Sequence, residues 1–583
     1  MIKNIFLIFN SIVKRKFLLS FTLTFFILTA NAQGPTLQWV KSMGDNLFQY
    51  ATSLDVDAQG NVYTTGVFAG IVDFDPGPGT FTLESQSLRN TFISKFDAFG
   101  NFVWVKQLRC LATWINSYNG GTDIVLDKVG NIYVSGYFTS GVDFDPGPGN
   151  YNLFSSCGES YILKLNSSGN FIRANQTRAN ICDLTTDASS NVFITGDFTD
   201  TTDFDFGIGI SNLVTNGAWA PDIFILKINS LGTFQWVKQM GFNGVFDQDQ
   251  SFSIKVDQSG NIYTTGFFQG SADFDPNAGS FILKSNGGWD VFVSKLSSTG
   301  NFIWAKGFGS KRHDMGISLT LDIANNIYTT GRFKDSVDFN PGTGTYSLIS
   351  HGNDDVYISK LDPLGNFLWA NTIGSDFNDV GMDIEIDPTN NVYVSGLFQD
   401  TAYFNPIMDA FNLQSKGSDD IFVVKFDGSG NFVGAKSIGG TLSDYSYTMR
   451  IDGAGNIYLA GGFQGICDFD PDLGVYNLTS VANSDDIFIL KMGGIVGIQE
   501  NTNSFNQETI FPNPNNGLFT LQVSAAISNG ELILINSIGQ KVYEEKIIQG
   551  INTVQTNGLA KGLYNYILLS DKQKINSGKL VVE

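Results

Sequence analysis

Histidine and cysteine are scarce in this 583-residue sequence, with two and four copies. The histidines, His313 and His351, lack metal-ligand spacing, so we expect both on surface loops. The sequence has no Gly-x-Ser-x-Gly elbow, phosphate-binding loop or Cys-x-x-Cys pair. These absences argue against serine hydrolases, P-loop nucleotide enzymes and dithiol oxidoreductases. We therefore expect a protein without catalytic activity.

Charged residues make up only 16% of the chain, and basic residues are the minority, with 35 Lys and Arg against 56 Asp and Glu. Without the first 32 residues, 31 basic residues remain and the formal charge is −25. Such a chain repels nucleic acid and anionic membranes, so we expect neither as a partner. The 50 Phe and 64 Gly are typical of many short buried strands joined by tight turns.

Long apolar runs are absent after residue 28, and the one that occurs, residues 17–28, follows a basic start. The small-x-small pattern Ala30-Asn31-Ala32 comes next, so residues 1–32 are predicted to be a signal peptide for secretion. The alternative is a membrane anchor, but the run is shorter than the roughly 20 residues that cross a bilayer. We expect no transmembrane segment after removal of the signal.

The four cysteines can form disulfides in an exported protein, and four allow three pairings. The pair Cys157–Cys182 is our hypothesis because both lie around the second and third repeats described next. The sequence does not choose among the pairings, which involve Cys110, Cys157, Cys182 and Cys467.

One phrase, Asp-x-x-Gly-Asn-[Ile/Val]-Tyr-x-x-Gly-x-Phe, recurs seven times with substitutions. A repeat at a near-constant interval predicts stacked supersecondary units that bury their apolar faces against one another. The Tyr or Phe after Gly-Asn is therefore predicted to be core rather than a sugar platform. The copies begin at Asp57, Asp127, Asp187, Asp257, Asp322, Asp387 and Asp452, in steps of 70, 60, 70, 65, 65 and 65 residues.

Each repeat contains two hairpin patterns with Gly-Asn turns, so it predicts four strands, the content of one propeller blade. The seventh repeat lacks a fourth strand, and a matching segment, residues 37–41, precedes the first repeat. An exchanged strand closes a ring, so residues 33–492 are predicted to form a seven-bladed β-propeller. The predicted repeats are 51–106, 122–175, 181–238, 251–306, 316–371, 381–436 and 447–491, plus 37–41. The Gly-Asn-[Val/Ile]-Tyr-[Thr/Val]-[Thr/Ser]-Gly motif resembles that of secreted bacterial seven-bladed propeller repeats.

Residues 493–508 read as a polar linker, and the alternating strands of 509–583 predict a small Ig-like β-sandwich, so the whole chain is predicted to be all-β. Pro512-Asn513-Pro514, residues 538–542, Lys561-Gly562-Leu563-Tyr564 and the tail 579–582 resemble the type A sorting domain of type IX secretion cargo. The resemblance implies export through the type IX machinery, to the surface of a Gram-negative bacterium or its medium. An ordinary binding sandwich is the alternative.

The strongest polar motif is Asp-Phe-Asp-Pro-Gly-x-Gly, in which two oxygen ligands flank an outward Phe before a Pro-Gly turn. Such residues could hold Ca²⁺. The competing interpretation, which we favour, is a turn in which the aspartates cap backbone N–H groups. The candidate metal residues are Asp73, Asp75, Asp143, Asp145, Asp203, Asp205, Asp273, Asp275, Asp338, Asn340, Asp468 and Asp470; Tyr403 and Asn405 form a degenerate copy.

Further acids precede the third strand of several repeats. Their side chains could contact the Asp-Phe-Asp loops or cap the ends of strands, and we favour capping. These acids are Asp222, Asp290, Asp354, Asp355, Asp419, Asp420, Asp485 and Asp486. Four strands per blade would place the Asp-Phe-Asp loops on the same face as the connections between blades. An extra paired strand at residues 81–83 would break that argument.

A regular scaffold without a reactive cluster favours a secreted or surface-exposed propeller that binds an extracellular protein or glycan, as an adhesion scaffold does. Two alternatives stay open. One is a secreted polysaccharide-degrading hydrolase or lyase, which needs an irregular rim loop. The other is a structural surface or matrix component.

Overall fold

The computed structural model describes residues 36–495 and 509–582 apart from short gaps at 86, 112–116, 156–157, 216–219, 242–246, 406–410, 473, 512–514, 516, 524–528, 537–539, 557 and 571–572. The predicted signal peptide and most of the predicted linker lie outside these residues. In the described part the regular elements are strands, with one 3-10 turn at Val481–Asn483, so the all-β prediction is confirmed. No helix there is long and apolar enough to cross a membrane.

The repeats of the described chain form seven antiparallel sheets with four main strands each, and sheet 6 gains two short strands, Ile466–Asp468 and Asn477–Thr479, from the repeat that follows. Sheets 1 to 6 each take their four main strands from a single repeat, and sheet 7 takes its fourth strand from the N-terminal segment Leu37–Met43. The strands are Tyr50–Val56, Val62–Phe68, Asn90–Phe96 and Phe102–Gln107 in sheet 1; Asn119–Leu126, Ile132–Phe138, Glu159–Leu165 and Phe171–Thr177 in sheet 2; Asn180–Thr186, Val192–Phe198, Asp222–Ile228 and Phe234–Met240 in sheet 3; Gln250–Val256, Ile262–Asp273, Ile282–Leu296 and Phe302–Phe308 in sheet 4; Met315–Leu321, Ile327–Phe333, Asp355–Leu361 and Phe367–Ile373 in sheet 5; Val380–Ile386, Val392–Tyr403, Asn412–Phe426 and Phe432–Gly440 in sheet 6; and Asp444–Ile451, Ile457–Phe463, Asp486–Met492 and Leu37–Met43 in sheet 7.

The turn between the first two strands of sheet 1 shows why the repeated phrase folds as a hairpin. Asp57 Oδ1 accepts the N–H groups of Gln59 at 3.0 Å and Asn61 at 2.9 Å. Gly60 has φ +80°, a conformation that suits glycine. Asn61 Nδ2 donates to Asp57 Oδ2 at 2.7 Å. The turn is therefore specified within five residues, and its hydrogen bonds recur in the other six repeats.

A short hairpin extends each connection between the second and third strands. In sheets 4 and 6 it is continuous with those strands, as in the pairing of Asp273 with Ile282. The extra strand considered in the sequence analysis therefore exists, but it is one of two strands that the hairpin adds. Because two added strands return the chain to the same side, the Asp-Phe-Asp loops still lie on the face of the connections between sheets. The hairpins separate from the main sheets are Ile71–Asp73 with Thr82–Glu84, Gly141–Asp143 with Asn152–Phe154 and the added strand Arg109–Cys110, Thr201–Asp203 with Asn212–Val214, and Ser336–Asp338 with Ser347–Ile349. The hairpin of sheet 7, Ile466–Asp468 with Asn477–Thr479, pairs with the fourth strand of sheet 6.

These hairpins and the connections between sheets lie on one face of the array, which we call the connection face. The reason is that antiparallel order returns the chain to the same side after every second strand. The Asp-x-x-Gly-Asn turns lie on the opposite face.

The apolar core lies between neighbouring sheets. Tyr63, predicted to be core, is 2% exposed, and the Lys95 ammonium lies 4.6 Å from its ring centre. The same Lys-on-aromatic contact occurs in all seven repeats. Each first strand contacts the first strand of the next sheet, and that of sheet 7 contacts that of sheet 1. Each sheet therefore buries apolar side chains against its two neighbours, and these contacts follow a cyclic order.

The C-terminal residues form two further antiparallel sheets that share one hydrophobic cluster, which includes Phe519, Leu534, Val554 and Leu568. One sheet contains Thr509–Phe511, Leu518–Val523 and Gly550–Gln555; the other contains Lys541–Ile547, Gly530–Ile535, Gly562–Ser570 and Gln573–Val582.

Candidate functional site

The Asp-Phe-Asp hairpins use their carboxylates to hold the turn. Asp73 Oδ1 accepts the N–H groups of Asp75 at 3.1 Å and Phe81 at 2.8 Å, and Asp75 Oδ1 accepts that of Gly77 at 2.9 Å. The equivalent bonds form at the other intact or partial copies: Asp143 with Asp145, Asp203 with Asp205, Asp273 with Asp275, Asp338 with Asn340, and Asp468 with Asp470. The aspartates thus cap backbone groups in six repeats.

The Phe between the two acids was predicted to point outward, and that is wrong. Phe74 is fully buried and packs against Phe68, with ring centres 5.3 Å apart. Residue alternation along a strand explains the correction, because the acids on either side of a core residue must face away from the core. The hairpin is anchored by its Phe and capped by its acids.

Calcium at these hairpins stays a prediction. One oxygen of each carboxylate is occupied by backbone donors, whereas Ca²⁺ takes six to eight oxygen ligands. Among the described residues, no group of three or more His, Cys, Asp and Glu is placed to hold a metal ion.

Of the acids predicted to precede the third strand, Asp290, Asp355, Asp420 and Asp486 are buried caps of backbone N–H groups, whereas Asp354, Asp419 and Asp485 are half-buried and accept side-chain donors. Asp420 Oδ2 accepts the N–H of Lys416 at 2.9 Å, and Asp355 and Asp290 make the equivalent bond in sheets 5 and 4. A Cβ on Gly439 would lie 2.2 Å from Asp420 Cγ, so the close approach requires glycine. Burial raises the pKa of Asp290 to about 7 and of Asp420 to about 6.

A second buried acid from the next sheet faces each of these caps. Asp444 Oδ2 accepts the N–H of Gly440, and its Oδ1 accepts that of Gln464 at 3.3 Å. Burial raises the pKa of Asp444 to about 7, and the Asp420 charge adds to the rise. Asp379 lies in the same relation to Asp355, with its pKa also raised to about 7. Carboxyl pairs that favour protonation therefore lie between sheets 5 and 6 and between sheets 6 and 7.

A cavity of about 320 Å³ lies at the centre, lined by the first strands of all seven sheets. Seven residues at equivalent positions of the first strands surround it, and we call them the central belt: Ser53, Asp123, Asp183, Ser253, Ser318, Asp383 and Thr448.

The acids of the central belt bond to the sheet that follows. Asp183 Oδ2 accepts the hydroxyl of Ser253 at 3.1 Å and the N–H of Ile254 at 2.7 Å. Asp123 Oδ2 accepts the N–H of Leu184 at 3.1 Å. Burial and the neighbouring Asp123 carboxylate raise the pKa of Asp183. The belt therefore joins the sheets and places a carboxyl that favours protonation in the cavity wall.

Two cationic residues, Lys255 and Arg450, line the same cavity. Arg450 lies 3.3 Å from Asp383 Oδ2 and 3.2 Å from Glu385 Oε1, with Asp55 Oδ1 at 3.8 Å. These three acids compensate the guanidinium charge in a setting where an unpaired ion would be costly.

Aromatic side chains lead outward from the cavity on the connection face. Tyr447 in the cavity wall contacts Tyr50 at 5.7 Å and Tyr445 at 5.5 Å between ring centres. On the other side Phe252 contacts Phe267, and Phe267 stacks on Trp289 at 4.4 Å.

A third aromatic group surrounds Arg89 between sheets 1 and 2. Its guanidinium lies 5.0 Å from the ring centre of Tyr118 and 5.7 Å from that of Tyr137. We call the half-buried tyrosines of these groups, Tyr50, Tyr118, Tyr137, Tyr445 and Tyr447, the aromatic rim. The rim was not predicted from the sequence, because its members come from irregular positions of different repeats.

The histidines and cysteines considered in the sequence analysis are not members of this rim. His313 and His351 are exposed, as predicted for loop residues. Cys110 and Cys467 are buried free thiols, and Cys182 is a free thiol in the cavity wall. Its predicted disulfide partner, Cys157, lies outside the described residues.

Comparison with known families identifies two segments. Residues 509–583 match the secretion system C-terminal sorting domain, and residues 235–266 match a β-propeller repeat. The predicted resemblances are thereby confirmed. The sorting domain implies export through the type IX machinery, so the protein is a secreted or cell-surface protein of a bacterium.

A curated relative is the uncharacterised WD repeat-containing protein L264 of Acanthamoeba polyphaga mimivirus, 21% identical over 73% of this chain. The chain spans 36% of that protein's length. Solved structures with similarity include Sqt1 of Chaetomium thermophilum, at 8% identity, TM-score 0.33 and coverage of 84% of this chain and 96% of that one. PorZ, a surface component of the type IX secretion system of Porphyromonas gingivalis, has 10% identity, TM-score 0.17 and coverage of 93% and 100%. TM-scores of 0.33 and 0.17 do not establish a common fold.

Proposed function

We propose that residues 33–492 form a closed seven-bladed β-propeller, in which sheets 1 to 7 are the blades. Support comes from the cyclic order of contacts between first strands and from the N-terminal strand Leu37–Met43, which completes sheet 7. In this proposal residues 1–32 are the signal peptide, 493–508 a linker and 509–583 an Ig-like sorting domain.

The proposed function is binding of an extracellular glycan on the connection face, in the manner of an adhesion scaffold. The observation that carries it is the aromatic rim, which gathers half-buried tyrosines from sheets 1, 2 and 7 near the mouth of the central cavity. Aromatic rings offer apolar faces to the C–H groups of sugars, while tyrosine hydroxyls exchange hydrogen bonds with sugar hydroxyls. Regular scaffold positions do not require these residues, because other repeats have different kinds of residue there, such as Val67 and Arg332 at the position of Tyr137.

Glycan binding by the aromatic rim can be tested in two steps. The secreted chain is first screened against an array of bacterial and plant polysaccharides, and the affinity of variants for the best ligand is then measured. Tyr447→Ala and Tyr118→Ala should each weaken binding by about tenfold, since one stacked ring contributes about 1–1.5 kcal/mol. Tyr476→Ala is the matched control, because Tyr476 is exposed on the outer hairpin of sheet 7. Binding that is unaffected by the rim variants, or capture of proteins but no glycan, would contradict the proposal.

One observation favours the alternative of a polysaccharide hydrolase. Asp183, whose pKa is raised, stands beside Asp123 in the cavity wall, and glycoside hydrolysis uses one protonated and one ionised carboxyl group. A reducing-sugar assay on polysaccharides that bind would test it. Turnover that Asp183→Asn abolishes without unfolding the protein would support hydrolysis, and absence of turnover would leave binding as the function.

A further inference from the structure

A pocket of about 420 Å³ on the connection face stands out in this acidic chain because basic groups line it. Its lining residues are Trp289, Arg312, His313, Arg332, Lys334 and Asp354. The stacked pair Phe267 and Trp289 links it to the wall of the central cavity.

The repeats themselves show that the scaffold does not need these cations. Arg332 follows the close-packed glycine of the second strand, where other repeats have Val67, Tyr137, Asp197, Phe267, Leu397 and Gly462. Lys334 occupies the position of Gln269, Gln399 and Gln464. Arg312 corresponds to Leu47, Asp247, Phe377 and Leu442. Three cations thus replace uncharged or acidic residues in one repeat only, as expected of a local binding site.

Buried hydrogen bonds fix the backbone that carries these cations. Asp314 is fully buried; its Oδ2 accepts the N–H of Ser310 at 2.5 Å and its Oδ1 accepts that of Lys334 at 2.8 Å. The Ser310 hydroxyl in turn accepts the N–H of Arg312 at 2.9 Å. One buried carboxyl therefore holds both cationic segments in place before any ligand arrives, which lowers the entropy lost on binding.

The charge of the pocket is only partly compensated. Arg332 lies 2.8 Å from Asp354 Oδ2, and Arg312 lies 3.3 Å from the exposed Asp335. Lys334 donates to Asn353 at 3.1 Å, and no ion pair of Lys334 occurs in the described part of the chain. The Arg312 side chain is 65% exposed. Three cations face two carboxylates, which leaves donors for an incoming anion.

We propose that this pocket binds the anionic group, carboxylate or sulfate, of an acidic polysaccharide. This inference rests on the proposed glycan-binding function and adds the class of ligand. Arginine and lysine bind such groups with charge-assisted hydrogen bonds, and Trp289 beside His313, with ring centres 4.4 Å apart, supplies an aromatic wall for the sugar. An acidic peptide has the charge but does not need the aromatic wall.

The test uses the full secreted chain and a triple variant, Arg312→Leu, Arg332→Leu and Lys334→Gln, in which each residue is one that the protein itself uses at an equivalent position. A control variant, Arg109→Leu, Arg178→Leu and Lys416→Gln, removes the same charge elsewhere. Calorimetric titrations would use tetragalacturonic acid, its neutral methyl ester, a sulfated tetrasaccharide and a tetra-aspartate peptide. Thermal melting of each variant would verify the fold.

The expected result is binding of the carboxylated or the sulfated saccharide, weakened about tenfold or more by the triple variant and unchanged by the control. Binding should also weaken as NaCl rises, because salt screens exposed charges. Whether the carboxylated or the sulfated saccharide binds shows which anionic group the pocket recognises. Equal affinity for the neutral ester, indifference to the triple variant or a preference for the peptide would overturn the inference while leaving glycan binding intact. Absence of binding to any saccharide, in this assay and on the array, would overturn both.

Discussion

Ser318 donates its hydroxyl to Asp383 Oδ1 across 2.8 Å, although the two residues are 65 positions apart and belong to different sheets. The other oxygen of the carboxylate accepts the N–H of Met449 at 2.8 Å from a third sheet. One buried side chain of the central belt thus joins sheets 5, 6 and 7. Its hydrogen bonds connect neighbouring first strands that share no backbone ladder.

Replacing Asp383 should therefore destabilise the assembled sheets. Asp383→Ala removes the hydrogen bonds from Ser318 and Met449, a further one from the N–H of Ile384, and one carboxylate beside Arg450, so we expect the free energy of unfolding to fall by about 2–4 kcal/mol. Thermal melting of the secreted chain measures it. Asp376→Ala is the control, because Asp376 is exposed. Equal melting temperatures for the two variants would show that the belt contributes little to stability.

The buried carboxyl pairs predict that the protein is more stable in mild acid than at alkaline pH. The folded-state pKa values of Asp379 and Asp444 are raised to about 7, and that of Asp420 to about 6, mainly by burial. The folded state therefore binds more protons than the unfolded chain between the usual aspartate pKa and about 7. Stability from these groups is present at low pH and is lost as pH rises through 6 to 7.

The measurement is the melting temperature between pH 5 and pH 8.5. Asp420→Asn removes the charge of one pair while its amide oxygen keeps the bond to Lys416, so the fall in melting temperature with pH should become shallower. Asp376→Asn, at an exposed position, should leave the slope unchanged. A slope that is the same in both variants would contradict the assignment.

The invariant glycine of the second strand should tolerate no side chain. A Cβ on Gly266 would lie 1.9 Å from the carbonyl oxygen of Gln250 and 2.8 Å from the Cα of Ser251. Gly266→Ala should cost about 1–3 kcal/mol or more, because backbone atoms cannot move aside as a flexible side chain does. Gly453→Ala is the matched control, since no atom lies within 4 Å of the Cβ added at Gly453. Urea unfolding compares the two variants, and a smaller loss at Gly266 would refute the packing argument.

Calcium should leave the melting temperature unchanged if the Asp-Phe-Asp hairpins are held by hydrogen bonds alone. Saturation at 100 times the dissociation constant would instead stabilise the protein by about 2.7 kcal/mol. The measurement compares melting in millimolar calcium and in chelator. A rise that is lost in Asp143→Asn, but kept in Asp376→Asn, would establish calcium binding at the hairpin of sheet 2.

The local units of the fold were predictable because their determinants lie within a few residues of one another. The turn of Asp57, Gly60 and Asn61 contains its own caps and its own left-handed residue. Tyr63 was predicted as core from its fixed place in the phrase, and it is buried. The predicted outward orientation of Phe74 was wrong. Alternate residues of a strand face opposite sides, so a Phe between two outward-facing acids faces the core.

The sequence by itself determined the hairpins, their spacing and the export signals, since turn chemistry and strand alternation act between near neighbours. The tertiary structure alone decided which distant residues meet. The central belt, the raised pKa values of Asp420 and Asp444, and the placement of Arg312 beside Arg332 all depend on contacts between different sheets or across a connection. Those contacts exist only when the sheets pack side by side, because burial between neighbouring sheets, not local propensity, brings these positions together.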